Sequence, residues 1–273
     1  MSARPSPRLS AIRIYPVKAC RRVELGETRV GATGLAGDRE WMVARPDGRF
    51  LSQRTHPALA RIVPRLTASG LELSAPGLPT LSVARPEAPG SIEVAVWDDR
   101  MLALDAGEAA AAWLARVLGE PARLIASAPD TRRFANRAFV GERDVPVSFA
   151  DAYPILVCTT ASLADLNARL PAPVPMERFR PNLVIDGWGA FDEDRVRVVR
   201  VGPVVLRFVK PCTRCTVPAI DQESGEPSTD PAPALKTFRF DRVLRGVTFG
   251  VNATVEAPPG ATLAVGDAVE IVA

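Results

Sequence analysis

Residues 209 to 226 read VKPCTRCTVPAIDQESGE. An alternating apolar run, Val204–Val209, leads into this stretch and reads as a strand, so its C-x-x-C, Cys212 and Cys215, sits in the loop at a strand's end. Thr216-Val217-Pro218 follows, β-branched and then helix-breaking, before the turn-rich Asp221–Gly225. A redox dithiol wants its first cysteine at a helix N-terminus, where the dipole lowers the thiol pKa, and these flanks do not provide one. A closed zinc site needs four ligands, and the remaining candidates, Cys20, Cys158 and the sole histidine His56, are isolated along the chain. One further reading uses a single sulfur: Cys215 as a soft thiolate on a metal whose other ligands come from a cofactor. Arg214 and Lys210 would help keep that thiolate ionised, with Cys212 as a small buried hydrophobe.

Outward from this loop the chain is a series of short alternating segments. Ile12–Tyr15, Val23–Val30, Trp41–Ala44, Ala60–Thr67, Leu71–Leu73, Leu81–Ala84 and Ile92–Val96 read as strands bounded by Gly, Pro or Asp. Leu183–Ile185, Val196–Val201, Val247–Val255 and Val269–Val272 continue the pattern. Strands this short and closely spaced predict a barrel or sandwich rather than a parallel α/β sheet. Two helices stand out: Gly107–Leu118, with Asp105 as a cap and Gly119 as a stop, and Thr159–Leu170, ending at Pro171. The polar stretch Pro129–Arg143 separates two β-rich halves.

The 273 residues are 47% hydrophobic and 24% charged, a globular balance with room for two small cores. The 34 basic and 31 acidic side chains leave a net charge of +3, with arginines scattered rather than striped, which does not predict nucleic-acid binding. No apolar run reaches membrane-spanning length and no secretory h-region is present. Four cysteines are too few for a secreted disulfide scaffold, so the expectation is a soluble, cytoplasmic, monomeric protein with reduced thiols. Neither a G-x-G-x-x-G after a strand nor a Walker loop occurs, and Gly31–Gly37 reads as a turn. His56, before Pro57, reads as a surface or turn histidine.

KPCTRC (Lys210–Cys215), taken with FRPNLVIDG (Phe179–Gly187), resembles the MOSC domain, the C-terminal module of molybdenum-cofactor sulfurases. IYPVKAC (Ile14–Cys20), GDREWMV (Gly37–Val43) and LSQRTHP (Leu51–Pro57) resemble the β-barrel domain that precedes MOSC in mitochondrial amidoxime-reducing components and bacterial YcbX-type proteins. VGDAVEIV (Val265–Val272) matches the end of the module. The fold implied is mainly β (α+β): an N-terminal MOSC β-barrel domain over 1–125, then a MOSC β-barrel with a few short helices over 126–273.

The resemblance implies Mo-molybdopterin as cofactor, with Cys215 as the catalytic residue and molybdenum ligand. It implies that Lys18, Ala19, Arg39, Ala152, Tyr153, Arg180, Asn182, Thr213 and Arg214 surround the cofactor, the basic groups holding its phosphate or pterin. Taken singly, Lys18 and Arg39 read as surface charges and Arg180 as a partner of Asp186 or Asp192. Ala19 stands where relatives carry serine, Asp151-Ala152-Tyr153 where they carry hydroxyl side chains, and Trp188 replaces a smaller residue that borders the substrate pocket. A pyridoxal-phosphate-binding character is compatible with the same resemblance. The activity implied is two-electron reduction of small N-hydroxylated compounds. The electron donor would be a separate protein of ferredoxin, haem or flavin type, because no cysteine follows Cys215 to hold a ferredoxin-type cluster. The alternatives are a cofactor or sulfur carrier without turnover, and a zinc or redox-thiol protein.

Overall fold

The computed structural model describes residues 6–87, 91–129, 131 and 133–273. Strand makes up 39% and helix 17%, as the alternating pattern predicts. The largest sheet runs Val269–Ile271, Val198–Val201, Val204–Thr213, Gly246–Glu256, Ile155–Thr159, Leu183–Asp186, Arg8–Ile14 and Val23–Leu25, with Phe240–Asp241 branching from Gly246–Glu256. Arg8–Ile14 turns Leu9, Ile12 and Ile14 inward onto Val157, Leu183, Leu206 and Val251, forming one apolar core. Ile155–Thr159 and Leu183–Asp186 run parallel, joined through the helix Thr160–Asn167. The Thr159 hydroxyl caps that helix by accepting from the Ser162 N–H. The helix ends three residues before the expected Leu170 because Asn167 bonds the Val174 backbone through both its amide groups, at 2.9 and 3.0 Å.

A second core lies under a four-stranded sheet ordered Trp41–Ala44, Arg123–Ser127, Asp99–Asp105 and Ser91–Val96, beside the meander Val63–Leu66, Gly70–Ser74, Leu81–Ala84. The helix Glu108–Leu118 buries Ala110, Trp113 and Leu114 against it, the spacing of one helical face. Its N-cap is Gly107 rather than Asp105, whose carboxylate accepts the Gly107 N–H and holds Arg123 instead. Gly119 ends it in the left-handed conformation, at φ 75°.

Two expected elements differ. Ala60–Thr67 is not one strand: Pro57–Arg61 forms a 3-10 turn, initiated by the fixed φ of Pro57, and only Val63–Leu66 is extended. Val23–Val30 breaks at Gly26 because its halves serve different partners, Val23–Leu25 pairing with Arg8–Ile14 and Glu27–Gly31 with Thr262–Ala264. The short helices Arg137–Val140 and Ala232–Phe238 carry no clear periodicity in sequence. Trp188 is 7% exposed and packs edge-on against Phe208 in the main core, 6.2 Å between centroids, and borders a surface hollow with Thr160 and Asp186.

Strand pairing crosses the 125/126 division, since Arg8–Gly31 pairs mainly with strands beyond residue 180. Asp130 and Arg132, within the stretch expected to separate the halves, lie outside the described residues. Among the described residues no helix is long and apolar enough to cross a membrane. The two cores meet where Pro16–Lys18 lies along Trp41. Lys18 N–H donates to the Trp41 carbonyl at 2.7 Å, Trp41 N–H to Pro16 at 3.0 Å, and Arg39 N–H to Tyr15 at 2.9 Å.

Candidate functional site

A cavity of about 270 Å³ opens at this junction. Lys18, Ala19, Arg39, Ala152, Tyr153, Arg180, Asn182, Thr213, Arg214 and Cys215, all singled out in sequence, line it. Separate loops deliver them. Pro16 stops the first strand, and the chain turns through Ala19 at φ 68°. Arg39 (φ 50°) and Arg180 (φ 56°) adopt the same left-handed conformation, uncommon for residues with a Cβ and concentrated in binding sites. Two register shifts in the pairing of Val204–Thr213 with Gly246–Glu256 flank Lys210–Pro211, where the strand meets the cavity.

Lys18 is 4% exposed, and its Nζ donates to the Phe149 carbonyl at 2.8 Å and to Asp151 Oδ1 at 2.6 Å. Burial lowers its pKa to about 8, against the opposing pull of Asp151. Tyr15 lies between two guanidiniums, Arg180 4.2 Å and Arg39 4.7 Å from its ring centroid. Its hydroxyl donates to the Pro181 carbonyl at 3.2 Å, and burial pushes its pKa up to about 12, although Arg180 and Arg39 pull it down. Arg39 pairs with Asp38. Arg180 has no carboxylate within 4 Å among the described residues: it donates to Gln222 Oε1 at 3.0 Å and to the Cys20 carbonyl at 2.9 Å, and Asp186 and Asp192 are not its partners. Burial lowers the Arg180 pKa, opposed by the nearby Tyr15 hydroxyl.

Arg214 also lacks a carboxylate within 4 Å among the described residues. Its Nη1 donates to Cys212 Sγ at 3.1 Å and its Nη2 to the Phe179 carbonyl at 2.7 Å, while its Nε is buried without a partner. Cys212 is therefore not merely a small core hydrophobe; it is half-buried and holds a guanidinium. Cys215 is exposed, whereas Cys20 and Cys158 are fully buried and burial pushes both thiols up, Cys20 to about 12. Among the described residues no three His, Cys, Asp or Glu side chains converge as a metal cluster.

Six lining side chains are basic (Lys18, Arg39, Arg54, Arg180, Lys210, Arg214) and one, Asp151, is acidic. Asn182 lines the wall, but its amide serves the protein: Oδ1 accepts from Leu156 N–H at 3.1 Å and Nδ2 donates to the Arg13 carbonyl at 3.2 Å. Sequence reasoning missed several groups that shape the cavity. Gln53 and Gln222 bond each other reciprocally at 3.0 and 2.8 Å, tying the Asp221–Gly225 loop across the site. Arg133 bonds the carbonyls of Ser148, Ala150 and Asp151, fixing the loop under Lys18. Gln53 lies inside the Leu51–Pro57 motif, which was a signal; Gln222 and Arg133 offer none before folding. His56 is not simply at the surface: it bonds Glu120 at 2.6 Å, away from the cavity lining.

Comparison with known proteins decides the family. The MOSC N-terminal beta barrel domain matches residues 6–121, and the MOSC domain matches residues 144–270. The chain belongs to the MOSC family. Mitochondrial amidoxime-reducing component 1 of Mus musculus is 33% identical to this MOSC chain over 272 residues, 94% of this chain and 79% of that protein. The Homo sapiens protein of the same name is 33% identical over 274 residues, covering 94% and 80%. Molybdenum cofactor sulfurase of Bos taurus is 27% identical over 255 residues, covering 86% of the MOSC chain and 29% of that longer protein. These relatives place the chain among molybdenum-cofactor-associated MOSC proteins.

Proposed function

We propose that this protein is a molybdenum-cofactor-dependent oxidoreductase that reduces small N-hydroxylated compounds, with Cys215 as the protein ligand to molybdenum. The observation that carries this reading is the pair of guanidiniums, Arg180 and Arg214, lining one cavity with an exposed thiol and having no carboxylate within 4 Å among the described residues. Cations withdrawn from water call for an anion, and a phosphate-bearing cofactor with sulfur ligands supplies one. The unpartnered Nε of Arg214 and the soft donor at Cys215 fit the same group. The amidoxime-reducing relatives support the substrate class by name.

When bound, the cofactor supplies the two-electron chemistry that, with two protons, splits the N–O bond and releases water. The chain's own residues bind and orient. Lys18, Arg39 and Arg180 receive the anionic part of the cofactor, and Arg214 with Thr213 steadies the loop that presents Cys215. Phe50, Tyr153 and Phe179 supply apolar wall and restrict water. Burial pushes the Tyr153 phenol up to about 12, so it stays neutral. Protons come from solvent at the open mouth, and electrons from a separate ferredoxin-, haem- or flavin-type protein.

The test is expression in a host that makes the cofactor, followed by elemental analysis and turnover of benzamidoxime with a supplied electron donor. About one molybdenum per chain, lost in Cys215→Ala, together with turnover, is the expected result. Zinc bound through both Cys212 and Cys215 sinks the assignment, and turnover on NADH alone removes the separate donor. The sulfurase relative favours a second reading, a cofactor or sulfur carrier. Tightly held molybdenum without turnover of any N-hydroxylated compound selects it.

A further inference from the structure

Beside the cavity lies a wider groove of about 650 Å³, walled by Arg45, Arg49, Arg54 and Arg100 with Asp98 as its one acid. The two spaces are continuous: Phe50, Ser52, Arg54 and Trp97 line both. The Trp97 indole stands at the shared lip, 45% exposed, at the tip of the hairpin Ser91–Val96/Asp99–Asp105. Its backbone is left-handed, at φ 57°, a conformation that costs energy for a bulky residue. Phe50 meets it edge-on at 4.9 Å, and the Arg54 guanidinium lies 4.4 Å over its ring. Arg49 and Arg100 have carboxylates nearby, Asp47 at 3.9 Å and Glu93 at 2.6 Å. Arg45 and Arg54 have none within 4 Å among the described residues, although both stand at the groove.

We infer that this groove is an anion subsite for the substrate, selecting planar N-hydroxylated compounds that carry a carboxylate or a phosphate ester. The inference rests on the reductase reading of the adjoining cavity. A molecule whose N–O group enters the cavity past Trp97 leaves its other end among Arg45, Arg49 and Arg54. The planar body then lies along Trp97 and Phe50, and the anion meets Arg45 and Arg54, which have no carboxylate within 4 Å among the described residues. The concave shape and volume suit a small molecule rather than the flat face of a protein.

The test uses the cofactor-loaded enzyme and three ligands of one N-hydroxylated class: benzamidoxime, its 4-carboxylate, and its 4-phosphate ester. Equilibrium binding is read by indole fluorescence, with Trp97→Phe as the control that removes the reporter, and turnover is read in parallel. Expected is tighter binding of the anionic ligands at low salt, by about fivefold for each unpaired arginine engaged. Arg45→Gln reduces that preference and Asp98→Asn increases it, opposite signs that damaged folding would not produce. The anion with the larger gain identifies whether carboxylates or phosphate esters are the natural class. Equal affinity for neutral and anionic ligands overturns the inference, as does Asp98→Asn weakening anion binding. So does an Arg45→Gln effect confined to the KM for the electron-donor protein, which would make the groove a docking face. Anion-selective binding without reduction of any of the three defeats the reductase reading but keeps the subsite. Reduction without anion selectivity does the reverse.

Discussion

Arg214 Nη1 lies 3.1 Å from Cys212 Sγ, so the first sulfur of the C-x-x-C holds the arginine between the two cysteines and leaves the second free. The motif is geometrically asymmetric. Cys215→Ala is expected to abolish molybdenum retention. Cys212→Ala retains the metal site but loosens Arg214, for an expected loss of about tenfold in cofactor affinity or activity, as for other groups that orient a ligand loop. Metal content per chain alongside turnover checks both. Equal losses in the two variants would mean that both sulfurs bind metal.

Tyr15 orients two cations at once, and neither guanidinium lies over another ring among the described residues. Tyr15→Leu should cut cofactor affinity about tenfold, since each stacked contact away from water contributes on the order of 1–2 kcal/mol. Tyr15→Phe keeps the ring and loses only the bond to the Pro181 carbonyl, at a stability cost of about 1 kcal/mol. Cofactor titration of the apo protein separates the two outcomes. If Tyr15→Phe is as damaging as Tyr15→Leu, the hydroxyl rather than the stack matters.

Lys18 is expected to make anion binding depend on pH. Its folded pKa, about 8, lies below the ordinary value of 10.5, so its charge in the folded protein disappears as pH rises through 8. Sulfate, fully ionised throughout this range, should bind the cofactor-free protein progressively more weakly from pH 7 to 9. Lys18→Arg should flatten that profile, because arginine stays charged. The stability linkage has the other sign: between about 8 and 10.5 the unfolded chain binds more protons, so this group's contribution to stability increases with pH. Calorimetric sulfate titrations at three pH values suffice, and a wild-type profile that stays level would exclude Lys18 from the anion site.

Glu193 is a buried carboxylate away from the cavity, accepting from the Ser162 hydroxyl at 2.7 Å. Burial raises its pKa to about 7, against the lowering effect of Ser162. Its folded value lies above the unfolded one, so the folded state holds the extra proton between about 4.5 and 7. The stability this confers is complete below 4.5 and is lost as pH rises through 7, by at most about 3 kcal/mol. Urea midpoints of wild type should fall from pH 5 to pH 8 more than those of Glu193→Gln. Parallel pH dependences in the two proteins would show that Glu193 is charged throughout.

Much of the fold was legible because strands and helices leave local periodicities. Val204–Val209 alternates and is a strand, and Gly119 stops its helix where a left-handed residue is needed. The failures were also local in cause. Trp188 has neighbours typical of a loop, but its ring is drawn into the main core by Phe208, distant in sequence. Asp105 has the chemistry of a cap yet is diverted by Arg123.

For the site, the motif residues identified most of the lining, and the roles within it came from packing. Nothing near Arg180 in sequence indicates that it spurns Asp186 for Gln222 and the Cys20 carbonyl. Sequence alone determined the strand-rich class, the family motifs and the candidate thiol at Cys215, because each is carried by a few adjacent residues. Tertiary structure alone decided the partners of Lys18, Arg39, Arg180 and Arg214 within the cavity they share, with Asp151 as its one lining carboxylate among the described residues. Their convergence depends on pairing Arg8–Ile14 with Leu183–Asp186 and on the seam between two cores. Such long-range pairing is set by the total burial of many side chains, which no single stretch of sequence encodes.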